Sequence, residues 1–112
     1  MVTDKEQLIQ WFKDHHIALL YFYRPDCEYC MMTDPYVRAI EDAGIKVYRI
    51  NVYDHYNAAM KWHVMGTPTT VAVDPEDHIA VPYQGAFGNL EPVLYYFYSV
   101  IQRRLQNKDS GL

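Results

Sequence analysis

Between residues 4 and 14 the apolar side chains Leu8, Ile9, Trp11 and Phe12 recur at helical spacing, which predicts an amphipathic helix. Thr3-Asp4-Lys5-Glu6 has the form of a capping box, with Thr3 capping and Glu6 reaching back to its backbone N–H. His15-His16 closes the helix as a C-terminal cap or solvated turn, with metal binding as the open alternative. The unbroken apolar run from Ile17 to Tyr23 then reads as a buried strand. Arg24-Pro25-Asp26 ends it, because proline cannot extend a central strand and restrains the residue before it.

A helical stretch follows to about Ala43, with Pro35 inside it removing one donor and predicting a kink, and Gly44 as its stop. Residues 45 to 52 alternate, with Ile45, Val47, Arg49 and Asn51 on one face and Tyr48, Ile50 and Val52 on the other, which is a strand. Residues 55 to 63 read as a short helix carrying Met60. Thr70-Val71-Ala72-Val73 and Ile79-Ala80-Val81 flank the turn cluster Asp74-Pro75-Glu76-Asp77, as in an antiparallel hairpin. The last helix runs from about Leu90 to Leu105, and residues 106 to 112 read as a frayed tail. Its core stripe is Leu90, Leu94, Phe97, Ile101 and Leu105, with Val93, Tyr96 and Val100 as a second stripe. A stripe that wide covers the sheet edge in a monomer or offers a homodimer surface.

The order helix, strand, helix, strand, helix, hairpin, helix predicts an α/β fold. A βαβ crossover places a central mixed β-sheet between helices on both faces. At 112 residues this is a single domain spanning 1–112, with no repeats or linkers. A net charge of −4, with no basic cluster beyond Arg103-Arg104, argues against nucleic-acid binding. No signal peptide is visible at Met1-Val2-Thr3-Asp4-Lys5-Glu6 and no apolar run is long enough to span a membrane, so a cytoplasmic location is expected. A chain cut free of its leader would read the same.

The only two cysteines, Cys27 and Cys30, stand three apart where the strand gives way to a helix. That spacing lets the sulfurs meet in a small disulfide ring. It also sets Cys27 at a helix N-terminus, where unpaired N–H groups favour a thiolate, the form that attacks disulfides. The alternative is half of a zinc site, but zinc wants four ligands and His15, His16, His55, His63 and His78 show no complementary spacing. Glu28 and Asp26 place negative charge beside Cys27 and disfavour its thiolate, while Arg24 favours it. The balance predicts a thiol near its ordinary range and a reducing protein. Cys27, in the first helical turn, is expected to be the more exposed sulfur.

Three separated motifs resemble thioredoxin. They are the CxxC after an apolar strand with Pro35 beyond it, the stretch Lys61-Trp62-His63-Val64-Met65-Gly66-Thr67-Pro68-Thr69, and Gly85 after the hairpin. The resemblance covers about residues 4 to 105 and implies the thioredoxin fold. It further implies a cis Thr67–Pro68 bond and a substrate-binding surface made of Thr67, Pro68, Met65 and Gly85, with His63 as a marginal member. Two departures stand out. Tyr21 occupies the position of the buried aspartate that helps deprotonate the second cysteine, and Arg49 that of the matching lysine. Tyr21 titrates near pH 10 and cannot serve as a base, so an aspartate there should speed resolution. Tyr29, Asp26, Glu28, Tyr21 and Arg49 are thus expected to modulate the cysteines.

The resemblance implies a thiol–disulfide oxidoreductase acting on protein disulfides through Cys27 and Cys30 by a mixed disulfide. It implies no metal or other cofactor beyond the redox-active disulfide, and a separate reductase as electron donor. A binding or assembly subunit that uses the same fold, with incidental redox activity, is the competing reading.

Overall fold

The computed structural model describes residues 4–109. Eight elements follow one another: α1 (Lys5–Asp14), β1 (Ala18–Tyr23), α2 (Glu28–Asp42), β2 (Val47–Asn51), α3 (Tyr56–Lys61), β3 (Thr69–Asp74), β4 (Ile79–Gln84) and α4 (Leu90–Asp109). The strands form one sheet in the order β2-β1-β3-β4, with β1 parallel to β2 and antiparallel to β3, and β3 antiparallel to β4. Helix α2 is the crossover that joins the parallel pair.

Strand alternation sorts the side chains into two layers. Leu19 and Tyr21 of β1, Ala72 of β3 and Val81 of β4 pack with Leu8, Trp11 and Phe12 of α1, Val37 and Ile40 of α2, and Phe97 of α4. On the opposite face Phe22 and Val71 pack with Ala59 of the short α3. The two faces of β2 fall as the alternation predicts, Val47 toward the first layer and Ile50 toward the second, with Val52 just past the strand joining Ile50.

Helix ends follow side-chain chemistry. The expected Thr3 cap lies outside the described residues, and the cap the structure shows is Asp4, whose Oδ1 accepts from the Gln7 N–H at 2.8 Å. His15 closes α1, its Nδ1 donating to the Trp11 carbonyl at 2.9 Å while its ring stacks on Trp11 at 4.4 Å. Gly44 ends α2 at a φ of +99° and donates to the Glu41 carbonyl at 2.9 Å. Pro35 does not interrupt α2, which is continuous across it.

Helix α4 departs most from the sequence reading. It runs to Asp109, so the tail expected to fray from residue 106 is helical over its described part. Lys108 Nζ donates to the Asp77 carbonyl at 2.8 Å and holds the last turn on the β3–β4 turn. Upstream, Arg104 Nη1 donates to the Ala80 carbonyl at 2.9 Å and Tyr96 Oη to the Pro82 carbonyl at 3.4 Å, both on β4. Val93 is buried with the core stripe, whereas Tyr96 remains 41% exposed and Tyr95 45%. The hydroxyl explains the difference, because a tyrosine can lay its ring on Tyr83 and still keep its polar end wet. Among the described residues no helix is long and apolar enough to cross a membrane.

Candidate functional site

Chain direction brings the three motifs together. Strand β1 delivers Arg24-Pro25-Asp26 to the end of the sheet, α2 starts there at Cys27, and the Met65–Pro68 loop enters β3 beside it. Cys27 is the N-cap of α2, and the Cys30 N–H donates to Cys27 Sγ at 3.1 Å. An amide and a helix N-terminus aimed at one sulfur favour its thiolate. Here the two sulfurs are bonded, with Cα atoms 5.1 Å apart. Cys27 is not the more exposed of the pair, since in this bonded form it is 1% accessible and Cys30 5%. Cys27 Sγ lies against the Thr67 carbonyl oxygen at 3.6 Å, which covers it.

The Thr67–Pro68 bond is cis. Thr69 Oγ1 donates to the Gly66 carbonyl at 2.6 Å and the Gly85 N–H to the Pro68 carbonyl at 2.9 Å, fixing the loop from both sides. Gly85 sits at a φ of +102° with nothing within 4 Å of where a Cβ would stand, so conformation rather than crowding selects glycine. Met65, Thr67, Pro68 and Gly85 share a cavity of about 250 Å³. Met65 is 85% exposed and free to adapt to a partner. His63 is exposed at a φ of +55° and lines none of the cavities beside the cysteines.

Arg24 ties two motifs together, its Nε donating to Thr67 Oγ1 at 2.9 Å and its Nη1 lying 3.6 Å from the Asp26 carboxylate. Asp26 in turn accepts from the Tyr53 hydroxyl at 2.9 Å. The negative charge expected beside Cys27 is thus compensated at Asp26 but not at Glu28, which is exposed in the first turn of α2. Arg24, Tyr53, Tyr56, Met65 and Thr67 bound a groove of about 430 Å³. Tyr29 and Met31 are exposed on α2, and Met31 lines the neighbouring cavity that Cys30 borders.

Behind Cys30 the arrangement differs from the expected one. Tyr21 is fully buried, and its hydroxyl donates to the Cys30 carbonyl at 3.2 Å. Burial, then the nearby Asp34 carboxylate, push its pKa up to about 12, so it is no base. An aspartate at position 21 does not simply restore a base, because the tyrosine ring fills the core there. Arg49 is not buried as the resemblance implies. Its guanidinium is partly exposed, 5.8 Å from the Tyr21 ring, and forms ion pairs with Asp34 and Glu41. Hydrogen bonding to Glu41 foremost, opposed by partial burial, raises the Arg49 pKa.

Asp34 and Tyr53 stand in the candidate site, and sequence reading missed both. The signal for Asp34 is its place one helical turn beyond Cys30. Tyr53 has no comparable signal, because a loop alone brings it to Asp26. Among the described residues no three or more His, Cys, Asp or Glu gather as a metal site would require.

Residues 1–87 match the sequence model of the family described as "TraF: F plasmid transfer operon protein". None of the curated proteins matches the chain in sequence. Among solved structures, the chain is similar to thioredoxin of Fasciola hepatica, with a TM-score of 0.60 at 19% identity over 91% of this chain and 95% of that one. A mutant thioredoxin of Halobacterium salinarum gives a TM-score of 0.64 at 23% identity, over 88% and 86% of the two chains. Mitochondrial thioredoxin 3 of Saccharomyces cerevisiae gives 0.59 at 20% identity, over 77% and 82%. These likenesses show the thioredoxin fold.

Proposed function

The chain belongs to the TraF family, a family of thioredoxin-like proteins, and we propose that within it this protein reduces or exchanges disulfides of protein substrates. The observation that carries the reading is the bonded Cys27–Cys30 pair at the N-terminus of α2, with an amide N–H on one sulfur and the Thr67 carbonyl beside it. In the reduced protein the Cys27 thiolate attacks a substrate disulfide. A Cys27–substrate bond forms and one substrate sulfur leaves with the electron pair. The Cys30 thiolate then attacks Cys27 Sγ, closing the Cys27–Cys30 bond and releasing the second substrate sulfur. A separate reductase returns the two electrons. Thr67 and Pro68 hold an extended substrate segment as an added strand would be held, and Met65, Tyr53 and Tyr56 give its side chains apolar contacts. A reducing compartment suits this direction.

Insulin, with dithiothreitol as donor, supplies the test. The wild-type protein is expected to accelerate precipitation of the reduced insulin B chain over dithiothreitol alone, and an unchanged rate overturns the proposal. The direction of transfer rests on Glu28. Glu28→Gln keeps the shape and removes an uncompensated negative charge, so the Cys27 pKa should fall. The reduction potential should become less negative by roughly 10–30 mV, where about 30 mV is tenfold for a two-electron couple. Salt should shrink the difference, because exposed charges act through screened solvent. Thiolate absorbance titrated at low and high salt reads it, and an unchanged pKa at low salt removes the charge argument for a reducing protein.

The family's description, F plasmid transfer operon protein, favours a second reading. In it the fold is a binding or assembly subunit of a transfer apparatus, and the exposed Tyr29, Met31 and Met65 are its docking contacts rather than a substrate rim.

A further inference from the structure

Resolution of the mixed disulfide needs Cys30 as a thiolate, and the exchange proposed above does not say where its proton goes. Cys30 borders a cavity of about 380 Å³ that Tyr21, Met31, Asp34 and Arg49 also line. Asp34 is the one carboxylate among the described residues bounding it. It follows Cys30 by one turn of α2, so the two share a helix face. The volume admits several waters and the lining is polar on the Asp34–Arg49 side. Resting on the disulfide-exchange reading, we infer that Asp34 is the residue through which Cys30 loses its proton, taking over from α2 a task that β1 has no acid to perform.

The Cys30 S–H proton passes through cavity water to an Asp34 carboxylate oxygen, and the Cys30 sulfur attacks Cys27 Sγ. The Cys27–substrate bond breaks with the electron pair leaving on the substrate sulfur, which takes a proton from solvent, and Asp34 returns its own proton to solvent. The groups facing Asp34 fit a relay rather than a store. Arg38 Nε donates to its Oδ2 at 2.8 Å from α2 and Arg49 Nη1 pairs with its other oxygen from β2. Tyr21 and Tyr23 of β1 and Arg24 complete the lining, and Glu41 shares Arg49. Partial burial works against the Asp34 charge, but the hydrogen bonds from Arg49 and Arg38 outweigh it and hold the carboxyl below its usual range. Asp34 is therefore held as a carboxylate and is a weak base, suited to passing a proton on rather than keeping it. Tyr21, whose proton already points at the Cys30 carbonyl, is not so suited.

The reduced full-length protein mixed with 5,5′-dithiobis(2-nitrobenzoate) tests this by stopped flow. One chromophore leaves when Cys27 attacks and a second when Cys30 closes the ring. In the wild type the second release should vary little with pH between about 6 and 8, as a relay of low pKa dictates. Asp34→Asn should slow it about 300-fold at pH 6.5. The variant rate should then climb tenfold per pH unit, with the thiolate fraction, and meet the wild type near pH 9. Asp34→Glu should recover most of the loss. A second release in Asp34→Asn that is unchanged or faster at pH 6.5 overturns the inference, since removing a negative charge alone would ease ionisation of Cys30. Equal slowing at every pH also overturns it, as the mark of a purely structural role. A wild-type protein that releases the first chromophore and never the second overturns the disulfide-exchange reading itself.

Discussion

Serine at Cys27 is expected to abolish insulin reduction, a loss on the order of a thousandfold or more, because a hydroxyl is not ionised at neutral pH and makes no mixed disulfide. Serine at Cys30 has a different signature. Cys27 keeps the helix N-terminus and the Cys30-position amide that point at its sulfur, both of which are backbone features and survive the substitution. The first exchange therefore proceeds and stops, leaving substrate covalently attached. A non-reducing gel of Cys30→Ser with insulin should show the adduct, and Cys27→Ser should show none. Adduct formation by Cys27→Ser would put the nucleophile at Cys30 and invert the assigned roles. The same pair separates enzyme from subunit in the cell. If Cys27→Ser restores the phenotype of a strain lacking the protein, the assembly reading stands and redox activity is incidental.

Aspartate at Tyr21 is expected to destabilise the protein by about 3–5 kcal/mol at neutral pH, the range for losing a buried aromatic, before any cost of the charge. Tyr21 is among the largest fully buried side chains, paired across the sheet with Arg49 and Thr70 and stacked on Tyr23 at 5.9 Å. Removal opens a cavity, takes the tyrosine hydroxyl away from the Cys30 carbonyl, and sets a second carboxylate near Asp34. Burial raises the folded-state pKa of the introduced carboxyl above its unfolded value. Its penalty is therefore greatest above that raised pKa and shrinks as the pH falls toward the unfolded value. Urea unfolding at pH 7.5 and 4.5 checks both the size and the sign. A loss under about 1 kcal/mol at pH 7.5 would mean that Arg49 reaches the new carboxylate and offsets most of the cost of burying it.

Much of this is legible in sequence, and the reasons for success and failure are local. Periodicity identifies α1, β2 and α4 because each turns one apolar face to the core, whereas β1 is legible as an unbroken apolar run because it is buried on both faces. The boundaries move where side chains from distant elements intervene, as at Lys108, whose bond to Asp77 extends α4 beyond its apolar stripe. Cys27, Cys30, Thr67, Pro68 and Gly85 are legible because chemistry and backbone conformation restrict those positions to few residue types. Asp34 and Tyr53 are not. An aspartate before a proline in an amphipathic helix reads as a solvated face, and only the fold shows that β2 presents Arg49 to it. The exposure of Cys27 departs from expectation for a related reason. Helix position places its sulfur in the first turn, but the Thr67 carbonyl that covers it comes from forty residues later.

The clasp of α4 on β4 also bears on how these molecules behave beside one another. A sheet invites further strands wherever a border strand offers free donors and acceptors in sequence. On β4 the Ala80 and Pro82 carbonyls are already taken by Arg104 and Tyr96, and Pro82 has no N–H to give. That border cannot template fibril-like growth from molecule to molecule. Helix α4, which finishes the core with one face, spends its polar reach on closing that one border of the sheet. Arg104→Ala would bare the Ala80 carbonyl to its neighbours and is expected to raise the tendency to aggregate without removing a core side chain.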